Sequence, residues 1–218
     1  MRTTRYLVGC VILASVLALP ILGASQDLRT VLLAPPQMDG GKPLMQALKD
    51  RATSRSFSPE KLPDQVFSNL LWAAFGINRA DSGRRTAPSG QNLQEIDVYV
   101  VTAEGAYLYD AKTHGLTPIA SGDHRAITGK QSFVKDAPVT LVFVADHAKM
   151  AKLGAEEKDL YAAAGAGAIS QNVYLFCASE GLATGVRASI DRPTLAAALK
   201  LRPDQKILLA QTVGYPKK

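Results

Sequence analysis

Cysteine is almost missing from this chain. The 218 residues hold only Cys10 and Cys177. Residues 1–25 read as a leader that is removed, so a single thiol stays, and one thiol cannot close an internal disulfide. An exported domain of this kind must be held by its core. Histidine is scarce too. His114, His124 and His147 are the only three, and none stands at a metal-ligand spacing, which argues against a metal centre. There is no Gly-x-Ser-x-Gly elbow, no Gly-x-Gly-x-x-Gly after a strand and no Walker loop. No pair of carboxylates stands out for glycoside chemistry. The net charge of +6 comes without a Lys/Arg stripe interleaved with aromatics, which argues against nucleic acid as a partner. No internal repeat, low-complexity tract or second domain boundary is visible.

What is present begins with the leader. Arg2 and Arg5 open a basic start, Leu7 to Leu22 is nearly all apolar, and Gly23-Ala24-Ser25 offers small residues for cleavage. This pattern predicts a signal peptide over 1–25, a mature start near Gln26 and an exported, periplasmic protein. The apolar run is shorter than the roughly 20 residues a spanning helix needs, so no stable membrane insertion is expected after cleavage. Leu7-Val8-Gly9-Cys10 looks like a lipoprotein box, but it precedes most of the apolar run and reads as chance. Loss of Arg2 and Arg5 leaves a mature charge of +4 from the original +6. That mild excess suits an anionic ligand.

Residues 26–42 carry Pro and Gly without periodicity and read as an extended arm, ahead of a domain over 43–218. Helices are expected from Pro43 to Ala52 and from Pro63 to Gly76, with proline near each start. Trp72 falls off the second helix's buried face, where a second subunit could cover it. Residues 78–85 read as a polar loop. Ile96–Val101 and Val139–Ala145 are apolar, β-branched runs and predict buried strands. Tyr107–Asp110 and Leu116–Ala120 flank a turn at His114. Asp159–Leu182 is the longest helical pattern. It carries Cys177 as a buried small residue, small residues from Ala162 to Ala168 where another helix could approach, and Gly181 as its cap. Gly165-Ala166-Gly167 lies within it, so it should not cradle phosphate. A short strand or turn at Gly185–Ile190, a helix from Pro193 to Leu201 and a last strand at Lys206–Val213 follow. Helices flanking a mixed sheet make the class α+β.

The candidate site is distributed. Arg51, Thr53 and Arg55 put two guanidinium forks and a hydroxyl at the end of a short helix, which suits a phosphate. The same residues also read as a helix C-terminus with arginines complementing the dipole. Ala87-Pro88-Ser89-Gly90-Gln91-Asn92 is a stiff, donor-rich loop feeding a core strand. It also reads as an ordinary turn. Ala188-Ser189 forms a turn after the long helix and the short strand.

Taken together, these segments resemble the FMN-dependent nitroreductase superfamily. Arg51-x-Thr-Ser-Arg55-x-Phe57 is similar to its Arg-Arg-Ser-x-Arg-x-Phe opening, and Ala87-Pro-Ser-Gly-Gln-Asn-Leu-Gln94 to its Ala-Pro-Ser-x-x-Asn-x-Gln loop. Asp136-Ala-Pro138, Gln171-Asn172, Glu180-Gly-Leu-Ala-Thr184 and Gly214-Tyr-Pro216 resemble further elements in the same order. Arg84 to Ser89 looks most like the branch containing the azoline-oxidising dehydrogenases. The resemblance implies a nitroreductase-like fold, a long dimer-forming helix and a homodimer with FMN at the subunit interface. It implies an oxidoreductase passing hydride through flavin N5 by a ping-pong mechanism, with NAD(P)H or a redox protein as electron donor and a small-molecule substrate. No side chain is implied as a catalytic nucleophile. Arg51, Thr53 and Arg55 match positions that hold the phosphate and ribityl chain. Pro88, Ser89, Gly90 and Asn92 match the loop against the ring, and Ala188 and Ser189 the turn near N5. Gln131 matches the pyrimidine edge and Lys217 a late basic phosphate contact. Ala52 stands where the superfamily has a second basic residue, and no Lys-Tyr base pair is present. The alternative is a non-catalytic flavin- or ligand-binding protein that keeps this fold.

Overall fold

The computed structural model describes residues 28–217. The leader, its Leu7–Cys10 box, Gln26 and Lys218 lie outside the described residues. In chain order the elements are β1 (Val31–Leu32), α1 (Leu44–Asp50), α2 (Asp64–Phe75), β2 (Ile77–Arg79), β3 (Arg84–Arg85) and β4 (Ile96–Val101). They continue with β5 (Gly105–Asp110), β6 (Gly115–Ser121), β7 (Val139–Asp146), α3 (Ala155–Glu180), β8 (Ala183–Arg187), α4 (Arg192–Ala198) and β9 (Gln205–Gly214). Seven strands form one sheet in the order β1-β6-β5-β4-β7-β9-β8.

The expected α+β class is what the chain adopts, with helices on both faces of the sheet. Strand direction refines the expectation of a mixed sheet, because every pairing described is antiparallel. Alternation explains why the central strands are apolar throughout. Val98, Val100, Leu141, Phe143 and Ala145 point to one core with α2 and α3. Tyr99, Val101, Val142 and Val144 point to another with Leu195 and Leu199 beside α4. A strand covered on both faces needs no polar position, so its pattern runs unbroken.

One expectation is corrected. Residues 78–85 are not a plain loop. β2 and β3 pair there as a small hairpin, with Ile77 opposite Arg85. The described part of the 26–42 arm docks on the domain. Val31 pairs with Leu116, the Leu33 amide donates to His114 O (3.0 Å), and the Lys42 amide donates to Ser179 Oγ (2.8 Å). Trp72 is half-buried, and its Nε1 donates to Ile77 O of its own chain at 3.1 Å. α2 ends at Gly76, which turns to extended backbone, and a Cβ there would meet the Trp72 ring at 2.5 Å, so the position needs glycine. Gly181 ends α3 in the left-handed region at φ 70, where glycine carries no side-chain clash. Cys177 is buried, and burial pushes its thiol pKa up.

Candidate functional site

The Arg51–Phe57 segment leaves α1 and docks on α3 and β8. The Arg51 guanidinium lies over the Tyr174 ring, 5.3 Å from its centroid. Thr53 Oγ1 is 2.9 Å from the Tyr174 hydroxyl, which also accepts the Val186 amide at 3.1 Å. The Ser54 amide donates to Thr184 O (2.8 Å). Gly185 lets the two backbones meet, since a Cβ would stand 2.6 Å from Ser54 O. Arg51 is half-buried while Thr53 and Arg55 are exposed, so the helix end presents its cations outward from a fixed backbone.

Four further predicted positions join this cluster. Phe57 bridges to Pro216, and the Ser58 amide donates to Tyr215 O (2.8 Å), which brings the exposed Lys217 alongside. The Phe57 and Phe133 rings pack with centroids 5.9 Å apart. They form a small core with Ala137 and Ala183. That core fixes the loop carrying Gln131. The Lys130 amide donates to Ser189 O (3.0 Å), tying that loop to Ala188 and Ser189, both exposed just beyond β8. Gln131 is half-buried, and its Oε1 is buried without a partner.

Arg187, which sequence reasoning passed over, closes β8 beneath this loop. It is only 8% exposed. Nη2 donates to Thr128 Oγ1 (2.9 Å), while Nε and Nη1 are buried without partners. Burial pulls its pKa down to about 10. Gly129 is required above it, because a Cβ would collide with the guanidinium. A buried unpaired cation is costly, so its retention beside the candidate site points to an anionic or carbonyl-bearing group that completes it. The only signal in sequence was one arginine at the end of a short, mostly apolar strand.

The second half of the site is the Pro88–Asn92 loop. Ser89 Oγ donates to Glu95 Oε2 (2.6 Å) and accepts the Gln94 amide (2.7 Å). Arg85 Nε donates to Gln94 Oε1 (2.8 Å). These bonds hold Gln91, Asn92 and Gln94 at φ 53, 57 and 49. Left-handed backbone costs a non-glycine residue roughly 1–2 kcal/mol, so the loop is over-determined by its side-chain bonds. Gly90 lies against Tyr161 of α3, where a Cβ would be 3.0 Å from ring atoms. Glu95, also missed from sequence, is 1% exposed, and its Oε1 has no partner. Gly165 makes room for it. That glycine, expected to let another helix approach, instead admits a carboxylate from its own chain.

The structure therefore gathers Arg51, Thr53, Arg55, Gln131, Ala188, Ser189 and Lys217 at one end of α3. It places Pro88, Ser89, Gly90 and Asn92 at the other. The contacts on α3 are Tyr174 and Tyr161, thirteen positions apart, which is about 20 Å along a helix rising 1.5 Å per residue. One chain does not bring the two halves together.

The profile of the nitroreductase family matches residues 48–215. The chain belongs to the nitroreductase family. A nitroreductase-family protein from Ralstonia eutropha is 40% identical, with a TM-score of 0.85 over 94% of this chain and 97% of that one. A nitroreductase-family protein of Methanocaldococcus jannaschii is 28% identical over 65% of this chain and 76% of its own length. One from Desulfovibrio desulfuricans, solved in complex with FMN, is 25% identical with a TM-score of 0.58, covering 81% and 88%. The Escherichia coli microcin synthetase complex shares the fold at 21% identity and a TM-score of 0.67. As a nitroreductase-family chain this protein is an oxidoreductase and a flavoprotein by family. Its own residues carry the finer reading.

Proposed function

We propose that this protein is an exported, FMN-dependent oxidoreductase that works as a homodimer. The observation that carries the reading is the Arg51–Thr53 clamp on Tyr174, set beside the exposed Ala188–Ser189 edge of β8. The residues suit FMN. Arg51 and Arg55, with Lys217, supply cations for a phosphate, and a charge-assisted bond contributes roughly 1.5–3 kcal/mol. The unpartnered Arg187 and Gln131 atoms offer donors and an acceptor to a ring edge. Pro88, Ser89, Gly90 and Asn92 would cover the ring from a second copy. When bound, FMN supplies hydride transfer through N5 in two half-reactions, one with a donor and one with an acceptor. The chain's part is to bind, orient and exclude water, which fits the lack of a nucleophile elbow.

The dimer is favoured by the gap of about 20 Å between the half-sites. The face of α3 between them is open and small, with Ala163, Ala164 and Gly167 exposed next to an exposed Leu160. A second helix can approach closely there. Export rests on the sequence of residues 1–25 alone. N-terminal sequencing of secreted protein should begin near Gln26, and recovery of Met1 would argue for an uncleaved anchor.

The test is an absorption spectrum of purified protein, with mass identification of any released ligand. Flavin absorption and an FMN mass are expected. A colourless protein that cannot be reconstituted would overturn the reading. A second reading, a flavin-binding protein without turnover, is favoured by Ala52 standing exposed where the superfamily has a basic residue. Bound FMN that neither NAD(P)H nor a redox protein can reduce would select it.

A further inference from the structure

The β2–β3 hairpin and the Pro88–Asn92 loop enclose a cleft of about 400 Å³, lined by Arg79, Arg84, Arg85, Pro88, Ser89 and Asn92. Three guanidinium groups share it, and among the described residues none of them forms an ion pair. Arg125 and Arg202, by contrast, pair with Asp123 and Asp146. Here every acceptor is neutral. Arg85 Nη1 donates to Phe75 O (3.1 Å), and its guanidinium lies 5.0 Å from the Phe75 ring centroid. Burial pulls its pKa down. Arg79 Nη2 donates to Arg85 O (3.1 Å) and its Nε to Asn78 Oδ1 (3.1 Å), which pins the hairpin. The hairpin's own acid, Asp81, accepts Ser82 Oγ instead. Arg84 is exposed and keeps its whole fork free.

Three like charges on a hairpin this short repel one another, and an anion between them removes the repulsion. We propose that this cleft is an anion subsite that takes the carboxylate or phosphate group of the small-molecule substrate. The assignment rests on the flavin reading above, which places the adjoining Ser89–Gly90 loop over the ring. Arg84 and Arg79 grip the anion through their forks. Arg85 shapes the floor. Ser89 and Asn92, held by their bonds to Glu95 and Gln94, line the side toward the ring.

The experiment is calorimetric titration of FMN-reconstituted protein with nitrobenzene, 4-nitrobenzoate and 4-nitrophenyl phosphate, which share a ring and differ in the anion. At least one charged compound should bind tighter than nitrobenzene by about tenfold or more, the effect of one charge-assisted bond. The tighter of the two identifies carboxylate or phosphate. Added salt should shrink the preference, and Arg79→Gln/Arg84→Gln should abolish it. Arg84 is exposed and its fork is free, so Arg84→Gln alone should melt with the wild type and still weaken the preference, which separates anion binding from the hairpin bonds that Arg79→Gln also removes. Equal binding of all three, binding of none, or a preference that survives the double substitution overturns the proposal. Flavin content is read separately by absorbance. A protein without FMN that still prefers the anion sinks the flavin reading, while a flavin-loaded protein with no preference sinks only this one.

Discussion

The hydroxyl of Tyr174, on the last third of α3, stands 2.9 Å from the hydroxyl of Thr53, 121 residues earlier in the chain. The same ring carries the Arg51 guanidinium, and the same oxygen accepts the Val186 amide from β8. One side chain thus joins the helix end, the long helix and the edge strand. Tyr174→Phe keeps the ring under Arg51 and removes the oxygen. The loss of two part-buried hydrogen bonds should lower stability by about 1–3 kcal/mol, at roughly 2–4 °C in melting temperature per kcal/mol for a domain this size. FMN affinity should drop several-fold and turnover should recover with excess FMN. A variant that melts normally and binds FMN unchanged would show that Tyr174 does not organise the clamp.

Glu95 and Gly165 should be energetically coupled. A Cβ at 165 would stand 2.6 Å from Glu95 Oε1 and 3.2 Å from Ile96 Cγ1. Gly165→Ala should destabilise by about 1–3 kcal/mol through overpacking, despite alanine's better helix propensity. It should also loosen Ser89, which holds its place through the Glu95 carboxylate. In a Glu95→Ala background the same substitution should cost less. Denaturant titration of the four proteins in a double-mutant cycle reads the coupling, expected at about 0.5–3 kcal/mol. Additive effects would mean that Glu95 moves aside freely.

Arg187 separates stability from binding. Its buried Nε and Nη1 meet nothing within the chain, so Arg187→Met should leave the flavin-free protein as stable as the wild type or more so. Its FMN dissociation constant should rise about tenfold or more, the loss expected of a charge-assisted contact. Thermal melts without flavin and fluorescence titration with it give the two readings. A strongly destabilised variant with unchanged FMN affinity would make Arg187 a structural residue.

His114 should make stability depend on pH without touching turnover. Its ring stands 2.7 Å from Ser68 Oγ through Nε2 and 2.9 Å from the Tyr109 hydroxyl through Nδ1. Ser68 donates its own proton to Ala34 O, so Nε2 carries the hydrogen and Nδ1 accepts from Tyr109. Burial lowers the His114 pKa below 6.5, and a bond to the Ala34 backbone opposes the shift. The unfolded chain therefore binds a proton that the folded chain resists, and stability falls as pH drops below about 6.5. Burial lowers the His147 pKa as well, so the His114 share is read by difference. His114→Asn, which tolerates the left-handed backbone at φ 46, should be less stable at pH 7.5 and show a smaller deficit at pH 5. Kinetics at saturating FMN should be unaltered. A deficit that is flat with pH would refute the neutral-imidazole account.

The strands were legible because burial on both faces leaves an uninterrupted apolar signature at Ile96–Val101 and Val139–Ala145. α3 was legible through its 3.6-residue periodicity and its glycine stop. The β2–β3 hairpin was not, since two short polar strands of three and two residues carry no alternation to read. The motif segments could be picked out as sequence, but their grouping could not. Lys217 reaches the Arg51 cluster only because Phe57 bridges to Pro216 across the chain.

The sequence alone determined the class of the fold, the order of its longer elements and the resemblance that led to the nitroreductase family, because burial periodicity and ordered motifs are local properties of a chain. The tertiary structure alone decided which groups meet. It set Tyr174 under Arg51, left Arg187 buried without a counter-charge, lodged Glu95 against Gly165 and separated the two half-sites along α3. Those outcomes depend on contacts between residues tens to more than a hundred positions apart. Their energies come from shared burial and hydrogen bonding, which no single segment contains.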